Sequence, residues 1–184
     1  MAIKTFTSGE VLTAADTNSY LNNGGLVYIN EFSGTAAAAL TIDTCFSSTF
    51  QNYRIVCSAF GSSVTTLRLA YRTGGVTNPN ALFYQRGFVL AAANTVTNNS
   101  AVTSGAFMSL SNASSIVNFG VADINNPAVA TRTQMICQSS DNQVPQMEQY
   151  INNWVDSTTF DGFTLIPTAG TVTGKVIVYG YRQA

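Results

Sequence analysis

The chain has 184 residues, of which only 9% are charged, and its formal net charge at pH 7 is -1. Its few basic residues are dispersed and cannot neutralise a phosphate backbone together, so we expect no nucleic acid partner. No segment approaches the roughly 20 apolar residues of a membrane span, so we expect no membrane insertion. The chain contains no histidine, which removes Ser-His and Cys-His nucleophile pairs and the usual zinc ligands. We therefore expect no metal and no cofactor.

The first predicted element is a short helix over residues 14–21, within the stretch SGEVLTAADTNSYLNNGG. Thr13 can act as its N-cap with Asp16 in the first turn, and Gly24 can take the left-handed conformation that ends a helix. So short a helix is marginal in water, so it must pack on its own domain or on a partner. We predict an attachment segment over residues 1–25 that docks on a partner. Its proposed contacts lie on or beside the helix: Val11, Leu12, Thr13, Asp16, Tyr20 and Leu21.

From Leu26 onward the chain consists of short apolar or alternating runs, which are typical of β-strands. Examples in chain order are LVYIN, YRIVCSAF, TTLRLAY, ALFYQRGFVL, RTQMICQS and VTGKVIVYGYR. No helix-length pattern separates them, so we predict an all-β domain over residues 26–184, an antiparallel β-sandwich or jelly roll. Clusters of glycine, asparagine and proline predict loops over residues 74–80 and 94–103.

The final run is apolar on both of its faces. Val176 and Val178 alternate with Ile177, Tyr179 and Tyr181, and successive side chains of a strand point to opposite sides. Such a strand is either central in its fold or pressed against a neighbouring subunit. We expect Ile177, Tyr179 and Tyr181 to lie in an interface between copies of the chain.

The three cysteines, Cys45, Cys57 and Cys137, are odd in number and far apart, without a C-x-x-C pair. We expect them to be buried and reduced, as small apolar side chains.

Three acids raise the question of catalysis, because glycoside cleavage needs a pair of carboxyl groups. Glu148, Asp156 and Asp161 lie in one aromatic and polar stretch of the sequence. Asp156 and Asp161 also fit turns, which is the commonest role of such residues. We predict that the protein is not an enzyme, and polysaccharide cleavage through these acids stays open as an alternative.

Aromatic side chains suggest a binding function instead. Trp154, Tyr150 and Tyr84 could form flat platforms for sugar rings, with amides nearby to meet the hydroxyl groups. Asn78 and Asn98, in the two predicted loops, complete the predicted contacts with a glycan. The alternative is that these aromatic residues pack in the core, as aromatics on strands usually do.

Both ends of the chain and one central strand carry a family resemblance. The stretches are FTSGEVLTAADTNSYLNNGGLVYI, FQNYRIVCSAF and FDGFTLIPTAGTVTGKVIVYGYR. They resemble tailed-bacteriophage virion structural proteins of the minor-tail or tail-fibre type, in which a G-x-V-L-T-A-A-D-x-N-x-Y-L segment precedes a β-rich body. The resemblance implies a symmetric assembly, commonly a trimer, and it supplies no catalytic residues.

We therefore expect a virion structural protein, made in the host bacterial cytoplasm. It would be a homotrimeric tail-fibre or receptor-binding component that adheres to a host surface glycan. Its N-terminal segment would bind other virion proteins. A capsid decoration, cement or head-fibre protein is the first alternative, and a polysaccharide depolymerase is the second.

Overall fold

The computed structural model describes residues 8–11, 13, 25–78, 83–90, 95–102, 104–112, 116–141 and 146–182. All regular secondary structure in these ranges is β-strand, paired antiparallel, which confirms the predicted all-β class. The helix predicted over residues 14–21 lies outside them. No helix in the described part of the chain has the length and apolar character needed to cross a membrane.

The described residues form thirteen strands. In chain order these are β1 (Leu26–Ala37), β2 (Leu40–Ile42), β3 (Asn52–Gly61), β4 (Thr65–Thr73), β5 (Val76–Thr77), β6 (Phe83–Leu90), β7 (Thr95–Val102), β8 (Gly105–Leu110), β9 (Asn118–Asn125), β10 (Gln134–Asp141), β11 (Gln146–Trp154), β12 (Gly162–Pro167) and β13 (Val172–Tyr181).

The strands form two sheets. The larger has eight strands in the order β1, β13, β3, β9, β10, β11, β6, β7. The smaller has five, in the order β2, β12, β4, β5, with β8 also paired to β4.

Four of the strand pairs are nested: the two strands of each pair lie, in sequence, between the two strands of the pair before it. The first strand, β1, pairs with the last, β13, and β2 pairs with β12. Inside them, β3 pairs with β9 and β4 pairs with β8. The β13–β3 and β12–β4 ladders complete two four-stranded blocks, one in each sheet. Four more strands, β10, β11, β6 and β7, then widen the larger sheet beyond β9.

Buried side chains from both sheets belong to one hydrophobic cluster. The largest fully enclosed members are aromatic: Trp154, Tyr53, Tyr71, Phe107, Phe160 and Phe163. Each aromatic ring buries a large area, and burial contributes about 25 cal/mol per Å² of apolar surface. The two sheets are therefore held together by a continuous aromatic and aliphatic core.

One predicted loop is wrong. Residues 95–102, within the loop predicted over 94–103, form the edge strand β7, which pairs antiparallel with β6. The sequence TVTNNSAV has central asparagines that favour turns, but threonine and valine at its ends favour strand. Pairing with β6 decides between these preferences. The loop predicted over residues 74–80 is correct only in part: Gly74 and Gly75, with φ of 59° and 78°, make a tight turn, whereas Val76 and Thr77 form the short strand β5 paired with β4.

The prediction for the cysteines is confirmed. All three are free thiols and all are buried. Burial raises the pKa of Cys57 to about 12 and raises those of Cys45 and Cys137 as well. The reactive thiolate is therefore suppressed at all three positions.

Candidate binding surface

The eight-stranded sheet has an outer face, by which we mean the side turned away from the core. Along β10, buried and exposed residues alternate strictly, so that Met135 and Cys137 point inward while Ile136 is 49% exposed. On β11 the odd-numbered residues point outward, and Ile151 is 44% exposed. Large apolar side chains thus lie on a surface that no other described element covers.

The strand register places a row of carboxamides across this face. Asn52 lies opposite Asn125, which lies opposite Gln134. Gln134 in turn lies opposite Asn153, and Asn153 lies opposite Tyr84 on β6. Neighbouring strands are about 4.8 Å apart, so the amide groups follow one another at that spacing. Each amide offers both a donor and an acceptor.

A second row, two residues away along the strands, contains a closed charge cluster. Arg54 donates to both carboxylate oxygens of Asp123 at 2.8 and 2.7 Å, and the Tyr181 hydroxyl donates to Asp123 Oδ1 at 2.6 Å. Burial works to raise the pKa of Asp123, but these hydrogen bonds outweigh it and lower the pKa below its ordinary value. Burial and the bond to Asp123 raise the pKa of Tyr181 to about 12. The carboxylate is thus fully engaged by its neighbours.

The residues of these two rows line two adjoining depressions in the outer face. The first, of about 400 Å³, is lined by Asp123, Asn125, Gln134, Ile136, Ile151 and Asn153. The second, of about 360 Å³, shares Gln134 and Asn153 and adds Tyr84, Arg132 and Val155. Because they share two lining residues, we treat them as one feature, the amide groove. Both volumes fall in the range of roughly 300–1,000 Å³ typical of small-molecule sites.

The predicted aromatic platform does not form. Trp154 is only 2% exposed and Tyr150 only 8% exposed, whereas Tyr84 is 53% exposed. The even-numbered residues of β11 point into the core, and the Trp154 ring meets Tyr71 and Phe160 edge-on at 5.9 and 4.8 Å. Tyr84 lies opposite Asn153 and therefore on the outer face. Of the three predicted platform residues, Tyr84 alone lines the groove.

The two predicted asparagines lie elsewhere. Asn78 is partly buried just after β5, and its backbone N–H donates to the carbonyl of Tyr71 at 3.0 Å. Asn98 lies on the edge strand β7, opposite Arg86 in the register. Asn78 is not among the described residues that line the two depressions of the groove, and the side chain of Asn98 lies outside the described residues.

The three predicted interface residues lie on the outer face of β13. Val176 and Val178 are fully buried, while Ile177, Tyr179 and Tyr181 are partly exposed. The Tyr179 ring meets Tyr28 of β1 edge-on at 6.2 Å, which covers it in part. The core thus explains why the inward face of β13, with Val176 and Val178, is apolar. On the other side, an interface between copies stays a prediction.

Most of the predicted attachment segment lies outside the described residues, including Leu12, Asp16, Tyr20 and Leu21. Of the predicted contacts, Val11 is 79% exposed, and Thr13 is exposed and lies outside regular secondary structure. Gly25 has a φ of 81°, and its carbonyl accepts a 2.9 Å hydrogen bond from the backbone N–H of Arg182. The chain therefore enters β1 beside the end of β13.

The three candidate acids have different hydrogen-bond partners, and Glu148 is the buried one. Its carboxylate is buried and accepts bonds from the Ser109 backbone N–H and hydroxyl, at 3.0 and 2.6 Å, and from the Ser139 hydroxyl at 3.0 Å. Asp156 lies two residues beyond the end of β11, which is itself about 20 Å along the strand from Glu148; glycosidic carboxyls span only 5–10 Å or so. The carboxylates of Asp156 and Asp161 accept backbone N–H groups of Ser157 and Gly74, as turn residues do.

The groove residues Asn125, Gln134, Ile136, Ile151 and Asn153 were not among the residues predicted from sequence. One signal was present, because RTQMICQS alternates and so assigns Gln134 and Ile136 to one face. The register between β9, β10 and β11 cannot be derived from any one strand, and it is this register that joins the residues into a row.

Comparison with known proteins gives no assignment. No family model matches the chain, and no curated protein matches it. The resemblance to tailed-phage virion proteins stays a prediction.

Proposed function

We propose that the chain is a structural protein of a tailed-bacteriophage virion, displayed on the tail as a fibre or receptor-binding component. Residues 1–25 form the attachment segment, with a short helix over residues 14–21, and dock on other virion proteins. Residues 26–184 form a jelly-roll domain, three copies of which assemble as a trimer and contact the host surface. The protein is made in the host bacterial cytoplasm.

The nested strand pairing carries this proposal. A jelly roll is an eight-stranded hairpin rolled into two sheets, so that its first strand pairs with its last and the pairs follow inward. The pairs β1–β13, β2–β12, β3–β9 and β4–β8 follow that order. Jelly rolls recur in viral capsid and lectin domains. A fold alone does not give a function, and here it agrees with the resemblance at both ends of the chain.

The four strands that widen the larger sheet support a binding role. Strands β10, β11, β6 and β7 add nothing to the nested pairs, but they roughly double the width of the outer face. That face carries half-exposed Ile136, Ile151 and Tyr84 beside neutral amides. Charge-poor surfaces with aromatic residues are typical of contacts with partners.

Electron cryomicroscopy of the intact phage tests the proposal. We expect three copies of the jelly roll in density at the tail, with residues 1–25 in contact with another tail protein. Purified protein should also block adsorption of the phage to its host. Density confined to the head shell, or absence of the chain from the particle, would contradict the tail assignment.

The tyrosine patch formed by Tyr28, Tyr179 and Tyr181 favours a second candidate. Tyr28 is 56% exposed and meets Tyr179 edge-on near the β1 edge of the outer face. Tyr181 joins this patch to the groove, because its hydroxyl donates to Asp123. Such a patch suits permanent packing on a neighbouring protein, as in a capsid decoration, cement or head-fibre protein. Phage lacking the protein would then lose head stability on heating while adsorption stays normal.

A further inference from the structure

We propose that the amide groove is a binding site for a neutral saccharide. This inference deepens the proposed receptor-binding function, on which it rests for the source of the ligand, by naming a ligand class and the residues that would bind it. It depends on three properties of the groove: its charge, its hydrogen-bonding groups and its apolar walls.

The first depression offers no free charge to a ligand. Among the described residues that line it, Asp123 is the one ionisable group, and the Arg54 guanidinium and the Tyr181 hydroxyl already engage that carboxylate. The other five lining residues are three amides and two isoleucines. A charged ligand would lose hydration in this depression without gaining a partner, so the first depression favours a neutral one. The adjoining depression adds a cation, Arg132, whose guanidinium can donate to a neutral hydroxyl as well as to an anion.

The amides match the hydroxyl groups of a sugar. Asn125, Gln134 and Asn153 follow one another across three adjacent strands, so neighbouring carboxamides can each meet one hydroxyl of a ring. The side-chain oxygen of Asn153 is enclosed and has no hydrogen-bond partner among the described residues. Turning that carboxamide over exchanges its oxygen and nitrogen, so the amide atom that faces the groove can be either a donor or an acceptor for a ligand hydroxyl.

Apolar side chains supply the surface on which the C–H face of a sugar can lie. Ile136 and Ile151 are directly opposite each other across β10 and β11, and both are about half exposed, at 49% and 44%. The 53% exposed Tyr84 lines the adjoining depression. Since the two depressions share Gln134 and Asn153, a ligand longer than one ring can continue from the isoleucines to the tyrosine.

Titration of the full-length chain with saccharides tests the site. The probes are neutral gluco-, galacto- and manno-oligosaccharides, with polygalacturonate as an anionic comparison, and the readout is the NMR signals of the side-chain amide groups. We expect a neutral oligosaccharide to shift the Gln134 and Asn153 signals saturably. Gln134→Ala should weaken that binding about tenfold, the effect of losing one or two hydrogen bonds.

The matched control is Gln149→Ala. Gln149 also points outward from β11, but it lines neither depression, so binding should be unchanged. Melting temperatures establish that both variants are folded. The inference is overturned if no neutral probe shifts the signals, if only polygalacturonate binds, or if Gln134→Ala binds as well as Gln149→Ala. Because the purified chain is used, its location on the virion can fail while saccharide binding stands, and the reverse.

Discussion

At the scale of single residues, Trp154 shows how strand alternation decides between a core and a binding role. It is the only tryptophan of the chain and stands at the end of β11 among polar residues, which favoured a surface position. Its even number on that strand turns it inward instead, onto the stacked pair of Tyr71 and Phe160, whose ring centroids are 4.5 Å apart. The side chain therefore contributes to stability.

We expect Trp154→Ala to lower the free energy of unfolding by about 3–5 kcal/mol, the usual cost of removing a buried large aromatic side chain. Urea denaturation followed by circular dichroism measures the loss. Trp154→Phe keeps an aromatic ring in the cluster and should lose clearly less. If Trp154→Ala unfolded like the unchanged protein, the side chain could not be in the core.

Asp123 should give the protein a defined acid sensitivity. Its pKa in the folded chain is lower than its ordinary value of 3.8, so the folded state favours the charged carboxylate. The resulting stability is present above that ordinary value and is lost as the pH falls through it toward the folded pKa. Because the Arg54–Asp123 pair is only partly buried, we expect about 0.5–1 kcal/mol.

Asp123→Asn tests this in urea denaturation at neutral pH and at about pH 3. The variant should be less stable at neutral pH, and the difference should shrink in acid. Arg54→Gln should behave similarly, and the double variant should lose less than the sum of the two. A constant difference across pH would mean that the carboxylate charge is not responsible.

At the scale of elements, strand existence could be predicted from sequence better than strand partners. The runs YRIVCSAF, RTQMICQS and VTGKVIVYGYR alternate or run apolar, and each became a strand. TVTNNSAV was predicted as a loop, because the central asparagines carry a turn signal that the ladder with β6 overrides. A strand at a sheet edge with polar residues gives little alternation, so composition alone cannot distinguish it from a loop.

One position on β6, Gly87, leaves no room for a side chain because β11 approaches it closely. Gly87 lies opposite Tyr150, and a Cβ built at Gly87 would come within 2.2 Å of the Tyr150 ring. Gly87→Ala must therefore displace that ring, and we expect a loss of about 1–3 kcal/mol, as for other overpacked sites. Thermal unfolding measures it. Gln149→Ala, on the opposite face of β11, should stay within about 0.5 kcal/mol; equal losses in both variants would show that the contact is unimportant.

At the scale of the whole molecule, pairing between distant parts of the chain determines both the fold and the groove. Leu26 pairs with Tyr181, and the nested ladders inside them join strands that are far apart in sequence. Local patterns predict which residues share a face but not which strands are neighbours. The amide row needs Asn125, Gln134 and Asn153 in one register, so the row could not be predicted from the pattern of any single strand.

The proposed trimer can be tested on the same outer face. Ile177 lies on β13, next to the tyrosine patch, while Gln149 occupies the same cross-strand row on β11, four strands or about 19 Å away. If copies pack through β13, Ile177→Arg buries an unpaired charge in the interface and should convert trimers to monomers in sedimentation velocity. Gln149→Arg adds the same charge to the same face and should leave the trimer intact. A monomeric unchanged chain, or equal dissociation by both variants, would rule out β13 as the interface.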